Sequence, residues 1–168
     1  TNYANIVAGD WTHYGDKWYY YDADMNPYIG VKTINGVKYY FEWEGRLATR
    51  TYEGIWVITF DRQLIAYNQN GVVTDQQDIV GNKWIEFNGG KYYFDSELTP
   101  YSGIQTIDGV EYYFNYGQLA EYLDEVVTSG DTLAYVRDGK VIEKAKFKDN
   151  ELIYLNGNCY YYYLNDAG

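Results

Sequence analysis

"TINGVKYYF" at residues 33–41 and "TIDGVEYYF" at residues 106–114 are nearly the same nine residues, written twice in one chain. In each copy an Asn-Gly or Asp-Gly pair separates two runs of β-prone residues. Such a pair favours a two-residue type I′ turn, in which both central residues have φ > 0. Each copy is therefore predicted to be a two-stranded β-hairpin, and the duplication indicates a repeat architecture.

Looser copies of the same pattern occur along the whole chain. They begin at Trp11, Val57, Trp84, Leu133 and Leu152. The matching second-strand positions are Tyr19, Tyr39, Ile65, Tyr92, Tyr112, Val141 and Tyr160. Tyr92 follows Tyr19 by 73 residues, and Tyr112 follows Tyr39 by the same distance. Residues 1–168 are thus predicted to form a single repeat array, with a first three-hairpin block at 11–83, a second at 84–151 and a terminal hairpin at 152–168.

The repeats predict an all-β fold, namely a β-solenoid of about seven stacked β-hairpins in short and long units. A single hairpin buries little apolar surface and is marginal in water, so the hairpins must stack. Aromatic residues make up 20% of the chain and 23 residues are Tyr, which supplies contact area while its hydroxyl stays hydrated. Residues 117–127 have apolar residues at helical spacing, but no helix longer than a turn or two is expected.

The charge and hydropathy of the chain restrict its partners. The net charge is −11, which argues against nucleic acid, because phosphate binding needs clustered Lys and Arg. The same charge argues against anionic membrane surfaces. No apolar run approaches the ~20 residues of a membrane span, so no membrane insertion is expected. The first residues do not resemble a signal peptide, and a fragment of a larger or processed protein is expected.

Catalytic and metal sites have little support in the sequence. His13 is the only histidine and Cys159 the only cysteine, so a zinc site with several His or Cys ligands is excluded by count. "DADMN" at residues 22–26 resembles a calcium loop but lacks its Gly and distal Glu, and is interpreted as a polar connection. An all-carboxylate metal site and a carboxylate pair for glycoside hydrolysis stay open. We predict no enzymatic activity, no catalytic residue, no metal and no cofactor.

Strand alternation divides the aromatic residues between two faces. Tyr39 and Phe41 share one face, which is predicted to be core, whereas Tyr40 points to the other. This other face is predicted to present an exposed ladder of Tyr20, Tyr40, Tyr93 and Tyr113. Flat aromatic rings stack on the C–H faces of sugars and attract cations. Packing between hairpins is the alternative role for any single tyrosine.

The repeats resemble the cell-wall-binding and glucan-binding repeat superfamily, which includes choline-binding repeats, glucansucrase repeats and the combined repetitive oligopeptides of large clostridial toxins. "TINGVKYYF" and "TIDGVEYYF", with "GDKWYYYD" and "GGKYYFD" beside them, carry the resemblance. It implies a β-solenoid that recognises carbohydrate or wall polymer without catalysis. It also implies a parent enzyme, toxin or adhesin, located outside the cell or on the bacterial surface.

The subfamily signatures are mixed. Trp11, Trp18 and Tyr40 are predicted to form one aromatic box like those of choline-binding repeats, but the second hairpin has Val31 and Lys38 at its Trp positions. Alternating short and long units are more similar to the toxin repeats. A glycan is favoured over choline as the ligand, because only one Trp-rich box survives. The predicted ligand-binding residues are Trp11, Trp18, Tyr40, Trp56, Trp84, Tyr93 and Tyr113.

We therefore predict a non-catalytic carbohydrate-binding repeat module of a bacterial surface or secreted protein. Its expected ligand is a cell-wall polymer, a glucan or a host glycan. The alternative is a protein-interaction or structural spacer domain, in which the aromatic ladder packs against a neighbouring domain. A glycan-processing enzyme has the weakest support.

Overall fold

Every regular element of the protein is a β-strand in the ranges that the computed structural model describes. These ranges are residues 6–49, 55–58, 63–147 and 151–161, and only the backbone is described for 55–58. No helix occurs in them, which confirms the all-β prediction, and no helix there is long and apolar enough to cross a membrane. Residues 117–127 contain β12 and the start of β13, because residues 124–129 pair with the neighbouring strand β14.

The chain divides into two compact units, Thr1–Val80 and Gly81–Gly168. The strands of the first unit are β1 (Trp11–Tyr14), β2 (Lys17–Tyr20), β3 (Gly30–Ile34), β4 (Val37–Phe41), β5 (Ile55–Ile58), β6 (Leu64–Gln69) and β7 (Val72–Asp78). The strands of the second are β8 (Trp84–Phe87), β9 (Gly90–Tyr93), β10 (Gly103–Ile107), β11 (Val110–Asn115), β12 (Gln118–Leu119), β13 (Asp124–Ser129), β14 (Thr132–Arg137), β15 (Lys140–Lys146), β16 (Leu152–Leu155) and β17 (Asn158–Tyr161).

Antiparallel hairpins build the sheets of both units. In the first unit β1 pairs with β2, and a five-stranded sheet has the order β3-β4-β7-β6-β5. In the second unit the order is β13-β14-β15-β11-β12-β9-β8, with β10 also paired to β11 and with β16–β17 as a separate hairpin. The hairpin is thus the common building element, as the repeats predict.

The two defining turns have the predicted geometry. Asn35 and Gly36 have φ values of 50° and 83°, and Asp108 and Gly109 have values of 50° and 78°. Positive φ at both central residues is the requirement of a type I′ turn, and it matches the twist of the flanking strands. The Asn-Gly and Asp-Gly pairs therefore fix the registers Ile34↔Val37 and Ile107↔Val110.

The long units are three-stranded meanders, β5-β6-β7 and β13-β14-β15. Their middle strands correspond, because β6 has a bulge between Tyr67 and Asn68 and β14 has one between Tyr135 and Val136. The predicted equivalence of Ile65 with Val141 is therefore wrong, since β6 matches β14 and Val141 lies in β15. The turn predicted at residues 61–62 lies outside the described residues, although β5 does pair with β6.

The core contains both faces of the aromatic strands. Phe41, Phe94 and Phe114 are fully buried, as predicted for their face. However, Tyr40 and Tyr93 are each only 8% exposed, so the exposed ladder is a wrong prediction for these two residues. Tyr20 and Tyr113 are half-buried.

The ladder face is covered because the chain returns across it. Tyr40 packs with Ala48 from the segment after β4, and with Ala66 and Val73 from the long unit. The Tyr40 N–H donates to the carbonyl of Gly71 at 2.9 Å, which fixes the long unit beside β4. In the second unit Tyr93 is buried by other residues that also follow it in the chain, among them Ile107, Phe114 and Leu119.

Candidate functional site: two related aromatic concavities

Each unit contains the same cluster of five aromatic rings. The first cluster consists of Trp11, Tyr20, Tyr28, Tyr39 and Phe41, and the second consists of Trp84, Tyr93, Tyr101, Tyr112 and Phe114. Every member of the second follows its counterpart by 73 residues, which is the period read from the sequence.

Ring geometry is nearly the same in the two clusters. Trp11 and Tyr39 meet edge to face, with centroids 5.0 Å apart at 77°, and Trp84 and Tyr112 meet at 5.2 Å and 76°. The pairs Tyr20–Tyr28 and Tyr93–Tyr101 both have a centroid distance of 5.0 Å, at 32° and 33°. Edge-to-face contact is a preferred arrangement of aromatic rings. The clusters therefore form one scaffold that the chain builds twice.

A side-chain turn precedes the tyrosine that closes each cluster. Oδ1 of Asp22 accepts hydrogen bonds from the N–H groups of Asp24 and Asn26 at 2.9 and 2.8 Å. Oδ1 of Asp95 accepts equivalent bonds from Glu97 and Thr99, both at 2.8 Å. The bond from the Asn26 backbone is the largest cause that lowers the pKa of Asp22.

The segment "DADMN" is therefore a turn that orients the chain toward Tyr28. Its carboxylate is already engaged with backbone N–H groups, in agreement with the interpretation as a polar connection. Among the residues that the structure describes, no group of three or more His, Cys, Asp or Glu side chains is arranged to hold a metal ion.

The first concavity opens above the first cluster and has a volume of about 420 Å³. It is lined by Trp11, Trp18, Tyr39, Leu47, Thr49 and Asn70. Trp18 is 42% exposed, and its ring is perpendicular to that of Trp11, at 83° and 6.4 Å. The ring of His13 lies against Trp18, with centroids 4.4 Å apart. The lining has no charged side chain.

The second concavity has the equivalent position in the second unit and a volume of about 290 Å³. It is lined by Trp84, Glu86, Lys91, Tyr112, Leu119, Glu121, Asp138 and Lys140. Trp84 is 39% exposed. Lys91 Nζ lies 2.7 Å from Glu121 Oε1, and this hydrogen bond is the main cause that raises the pKa of Lys91.

The two concavities correspond residue by residue. Trp, Tyr and Leu are kept, since Trp11, Tyr39 and Leu47 correspond to Trp84, Tyr112 and Leu119. Five positions around them differ in charge. Lys91 replaces Trp18, Glu86 replaces His13, Glu121 replaces Thr49, Asp138 replaces Asn70 and Lys140 replaces Val72.

Two streptococcal proteins match most of the chain in sequence. Glucosyltransferase-S of Streptococcus mutans is 28% identical over 154 residues, covering 90% of this chain and 9% of that protein. Glucosyltransferase-I of Streptococcus downei is 29% identical over 170 residues, covering 93% of this chain and 10% of that protein. The chain therefore spans only a small part of these relatives. No family model matches it.

These matches to two streptococcal glucosyltransferases, together with the duplicated hairpins and rings, agree with the resemblance found in the sequence. The repeats of this chain are similar to those of cell-wall-binding and glucan-binding modules. Among solved structures, choline-binding protein F of Streptococcus pneumoniae is 23% identical, covering 82% of this chain and 42% of that chain with a TM-score of 0.35. Alternansucrase in complex with isomaltononaose is 20% identical, covering 90% and 12% with a TM-score of 0.34.

The structure brings some of the predicted site residues of this module together and separates others. Trp11 and Trp18 line the first concavity and Trp84 lines the second. Tyr40 does not complete the box with Trp11 and Trp18, because it points into the core and Tyr39 takes that place.

The remaining predicted residues do not line a concavity in the described part of the module. Tyr93 is buried against Trp84, with centroids 5.2 Å apart, and supports it from the side. Tyr113 is half-buried. Trp56 lies in β5 opposite Tyr67, and its side chain is outside the described residues.

Sequence reasoning missed Tyr39, Tyr112 and the charged lining of the second concavity. Strand alternation predicts Tyr39 to be a core residue, because it shares a strand face with Phe41. Only Phe41 is fully buried, since Tyr39 lies closer to the turn, where that face meets the concavity. The sequence does contain a signal for the charged lining, because Lys91 occupies the repeat position of Trp18, 73 residues further on.

Proposed function

We propose that this chain is a non-catalytic carbohydrate-binding module and that the first concavity is a sugar-binding site. One observation carries the proposal. The exposed ring of Trp18 stands perpendicular to that of Trp11, and with Tyr39 it encloses an open, uncharged concavity. A ring held in this way is pre-formed for stacking on the C–H face of a pyranose.

The lining also contains polar groups suited to sugar hydroxyls. Thr49 and Asn70 are part of the lining. A hydroxyl or amide donates and accepts hydrogen bonds, as a sugar hydroxyl does. Pockets that combine apolar faces with a few polar groups are the usual form of small-molecule sites.

A neutral glucan is the ligand class that we propose first. The sequence relatives are named glucosyltransferases, and such enzymes transfer glucosyl groups. The first concavity has no charge to pair with an anionic sugar, and the net charge of −11 repels one. A neutral gluco-oligosaccharide such as isomaltotriose is therefore the most direct probe.

The wider context belongs to the same proposal. We infer that the hairpins form a β-solenoid array with two three-hairpin blocks and a terminal hairpin, on the support of the 73-residue period. We infer further that the module belongs to an extracellular or cell-surface bacterial protein and is joined to a parent enzyme, toxin or adhesin domain. The small share of each relative that it spans supports this arrangement.

Calorimetric titration with isomaltotriose tests the sugar site. We expect weak binding that changes little with salt, because stacking contacts contribute modestly and the lining has no charge to screen. Trp18→Ala should weaken binding by about tenfold, as loss of 1.4 kcal/mol implies. The matched control is Trp43→Ala, since Trp43 is 62% exposed and does not line the concavity. Equal affinity in the two variants would contradict the site.

Choline is the comparison ligand for the same concavity. Three aromatic rings in an acidic protein also attract a quaternary ammonium. The sequence predicts glycan over choline, and this preference stays a prediction until both are titrated. Choline binding at Trp18 that is tighter than any sugar would make the module a cation-binding one.

The second candidate function is a structural or protein-interaction spacer. Burial of Tyr40 and Tyr93 favours it, because these rings hold hairpins together and present no surface. Absence of binding by isomaltotriose, other neutral oligosaccharides and choline would leave this function as the better one.

A further inference from the structure

The differences between the two concavities are confined to their linings. The supporting rings keep their identities and their contact geometry, as the Trp11–Tyr39 and Trp84–Tyr112 pairs demonstrate. In contrast, all five changed positions replace an uncharged side chain by a charged one.

The central change replaces an aromatic ring by an ammonium group. In the first unit His13 and Trp18 are cross-strand partners, and their rings contact each other at an angle of 33°. In the second unit the same cross-strand pair is Glu86 and Lys91. Lys91 turns to Glu121, which comes from the segment after β12. The first concavity therefore has an aromatic surface where the second has charged groups that form hydrogen bonds.

The presence of the Lys91–Glu121 ion pair is not explained by a contribution to folding stability. Both side chains reach solvent, and an exposed pair of this kind contributes little to folding. Its partners remain accessible from the concavity, since Lys91 and Glu121 both line it. The ammonium has three donors and the carboxylate has several acceptor positions, so one mutual bond leaves capacity for a ligand.

The charge balance selects among ligands. Glu86, Glu121 and Asp138 contribute three negative charges, and Lys91 and Lys140 contribute two positive charges, so the lining has a net charge of −1. An anionic sugar is repelled by this net negative charge. A quaternary ammonium is repelled by the ammonium group of Lys91, which occupies the position that Trp18 has in the first unit. A purely apolar ligand would remove water from five charges without replacing their hydrogen bonds.

A neutral pyranose satisfies the whole lining. Its C–H face would lie against the exposed part of Trp84, and its hydroxyls would accept from Lys91 and donate to Glu121 and Asp138. Resting on the proposed carbohydrate-binding function, we propose that the second concavity binds neutral, hydroxyl-rich sugars by charge-assisted hydrogen bonds and rejects quaternary ammonium ions, whereas the first binds by stacking. The chain then has two sugar sites of different specificity on one scaffold.

The five tryptophans allow both sites to be followed in one experiment. Indole N–H signals of the ¹⁵N-labelled protein, assigned by single Trp→Phe substitutions, report separately on Trp18 and Trp84. The probes are isomaltotriose, choline and trigalacturonate. We expect isomaltotriose to shift the signals of both residues, choline to shift only that of Trp18, and trigalacturonate to shift neither.

Two variants test the hydrogen-bonding groups. Lys91→Ala and Glu121→Gln should each weaken the isomaltotriose response of Trp84 by about tenfold, as loss of one charge-assisted bond implies. They should leave the response of Trp18 unchanged. Lys83→Ala and Glu97→Gln are the matched controls, since both residues are exposed and outside the concavity.

The outcomes separate this inference from the function on which it rests. If isomaltotriose shifts Trp18 alone, or if Lys91→Ala and Glu121→Gln bind like the controls, the second site is overturned and the first survives. A shift of Trp84 by choline as large as that of Trp18 also overturns it. If no probe sugar shifts either signal, the carbohydrate-binding proposal and this inference fall together.

Discussion

The first concavity is aromatic and uncharged, and the second has the same rings beneath a charged lining. Both are built from a Trp in the first strand of one hairpin, a Tyr from the next hairpin and a Leu from the segment after it. The two linings have equivalent positions, so the difference between them is one of side chains and not of backbone.

This comparison separates the two constraints on a repeat. Buried rings keep their identity because a change of volume in a close-packed interior is costly. The lining residues that differ between the units are exposed or half-buried, so their substitution changes the chemistry of the opening at little cost to the fold. Duplication thus provides a second site whose specificity can change independently.

The largest effect should come from the buried ring that both clusters share. Phe41 and Phe114 are fully buried. Phe41→Ala and Phe114→Ala should each lower the free energy of unfolding by about 3–5 kcal/mol, because each leaves a cavity among aromatic rings. Urea unfolding measures this loss, with Tyr116→Ala as the exposed control. A loss below about 1 kcal/mol in one of the two would show that the scaffolds are not equivalent.

A smaller effect should distinguish glycines in the same kind of turn. Gly36, Gly71, Gly109 and Gly139 all have positive φ and all follow Asn or Asp. A Cβ at Gly139 would lie 2.6 Å from Leu119, and one at Gly71 would lie 2.7 Å from Leu47, whereas those at Gly36 and Gly109 meet open space.

Alanine at Gly36 or Gly109 should therefore cost about 1–2 kcal/mol, the strain of the left-handed conformation alone. Alanine at Gly71 or Gly139 should cost about 1–3 kcal/mol more, because a leucine must move. Gly139→Ala should be the worse of these two, since Leu119 is buried and Leu47 only half-buried. Thermal unfolding gives the order, and equal midpoints for all four would contradict the packing.

The sequence predicts much of the fold because local signals decide it. The Asn-Gly and Asp-Gly turns and the 73-residue period predict the hairpins and their register. The third strands of the long units were missed, although Asn70-Gly71 is the same signal as Asn35-Gly36 and both residues have positive φ. The preceding bulge at Tyr67 and Asn68 shifts the alternation and conceals the match.

The sites are harder to predict than the hairpins. Burial of Tyr40 and exposure of Trp18 depend on which segment returns over each strand face, and alternation alone does not reveal this. Position within a strand also matters, because Tyr39 reaches an opening while Phe41, two residues on and on the same face, does not. The contrast between Trp18 and Lys91 was visible in the repeats, but its meaning depends on Glu121, which lies 30 residues further along the chain.

The smallest expected effect is a difference between the two units in how stability depends on alkaline pH. Burial raises the pKa of Tyr92 to about 12, from an ordinary value of 10.0. Its counterpart Tyr19 is only half-buried, and its pKa is also raised by burial. A raised phenol pKa means that the native state retains the proton longer than the unfolded state. The resulting stability is complete below about pH 10 and is lost as the pH rises toward 12.

Tyr92→Phe should therefore flatten the fall in stability between about pH 10 and 12 more than Tyr19→Phe does. Urea unfolding at a series of pH values measures the slope. Equal slopes in the two variants would show that Tyr92 is no more buried than Tyr19.

Exchange of one pair of side chains tests the central claim most directly, namely that a common scaffold takes its ligand class from the lining. The double variant Trp18→Lys with Lys91→Trp moves the aromatic ring from one concavity to the other. Choline titration, followed by the indole signals of Trp11 and Trp84, reads both sites of the folded variant. We predict that the choline response leaves Trp11 and appears at Trp84. A response that stays at Trp11, or one that appears at neither residue while the spectrum remains that of the folded protein, would contradict the claim.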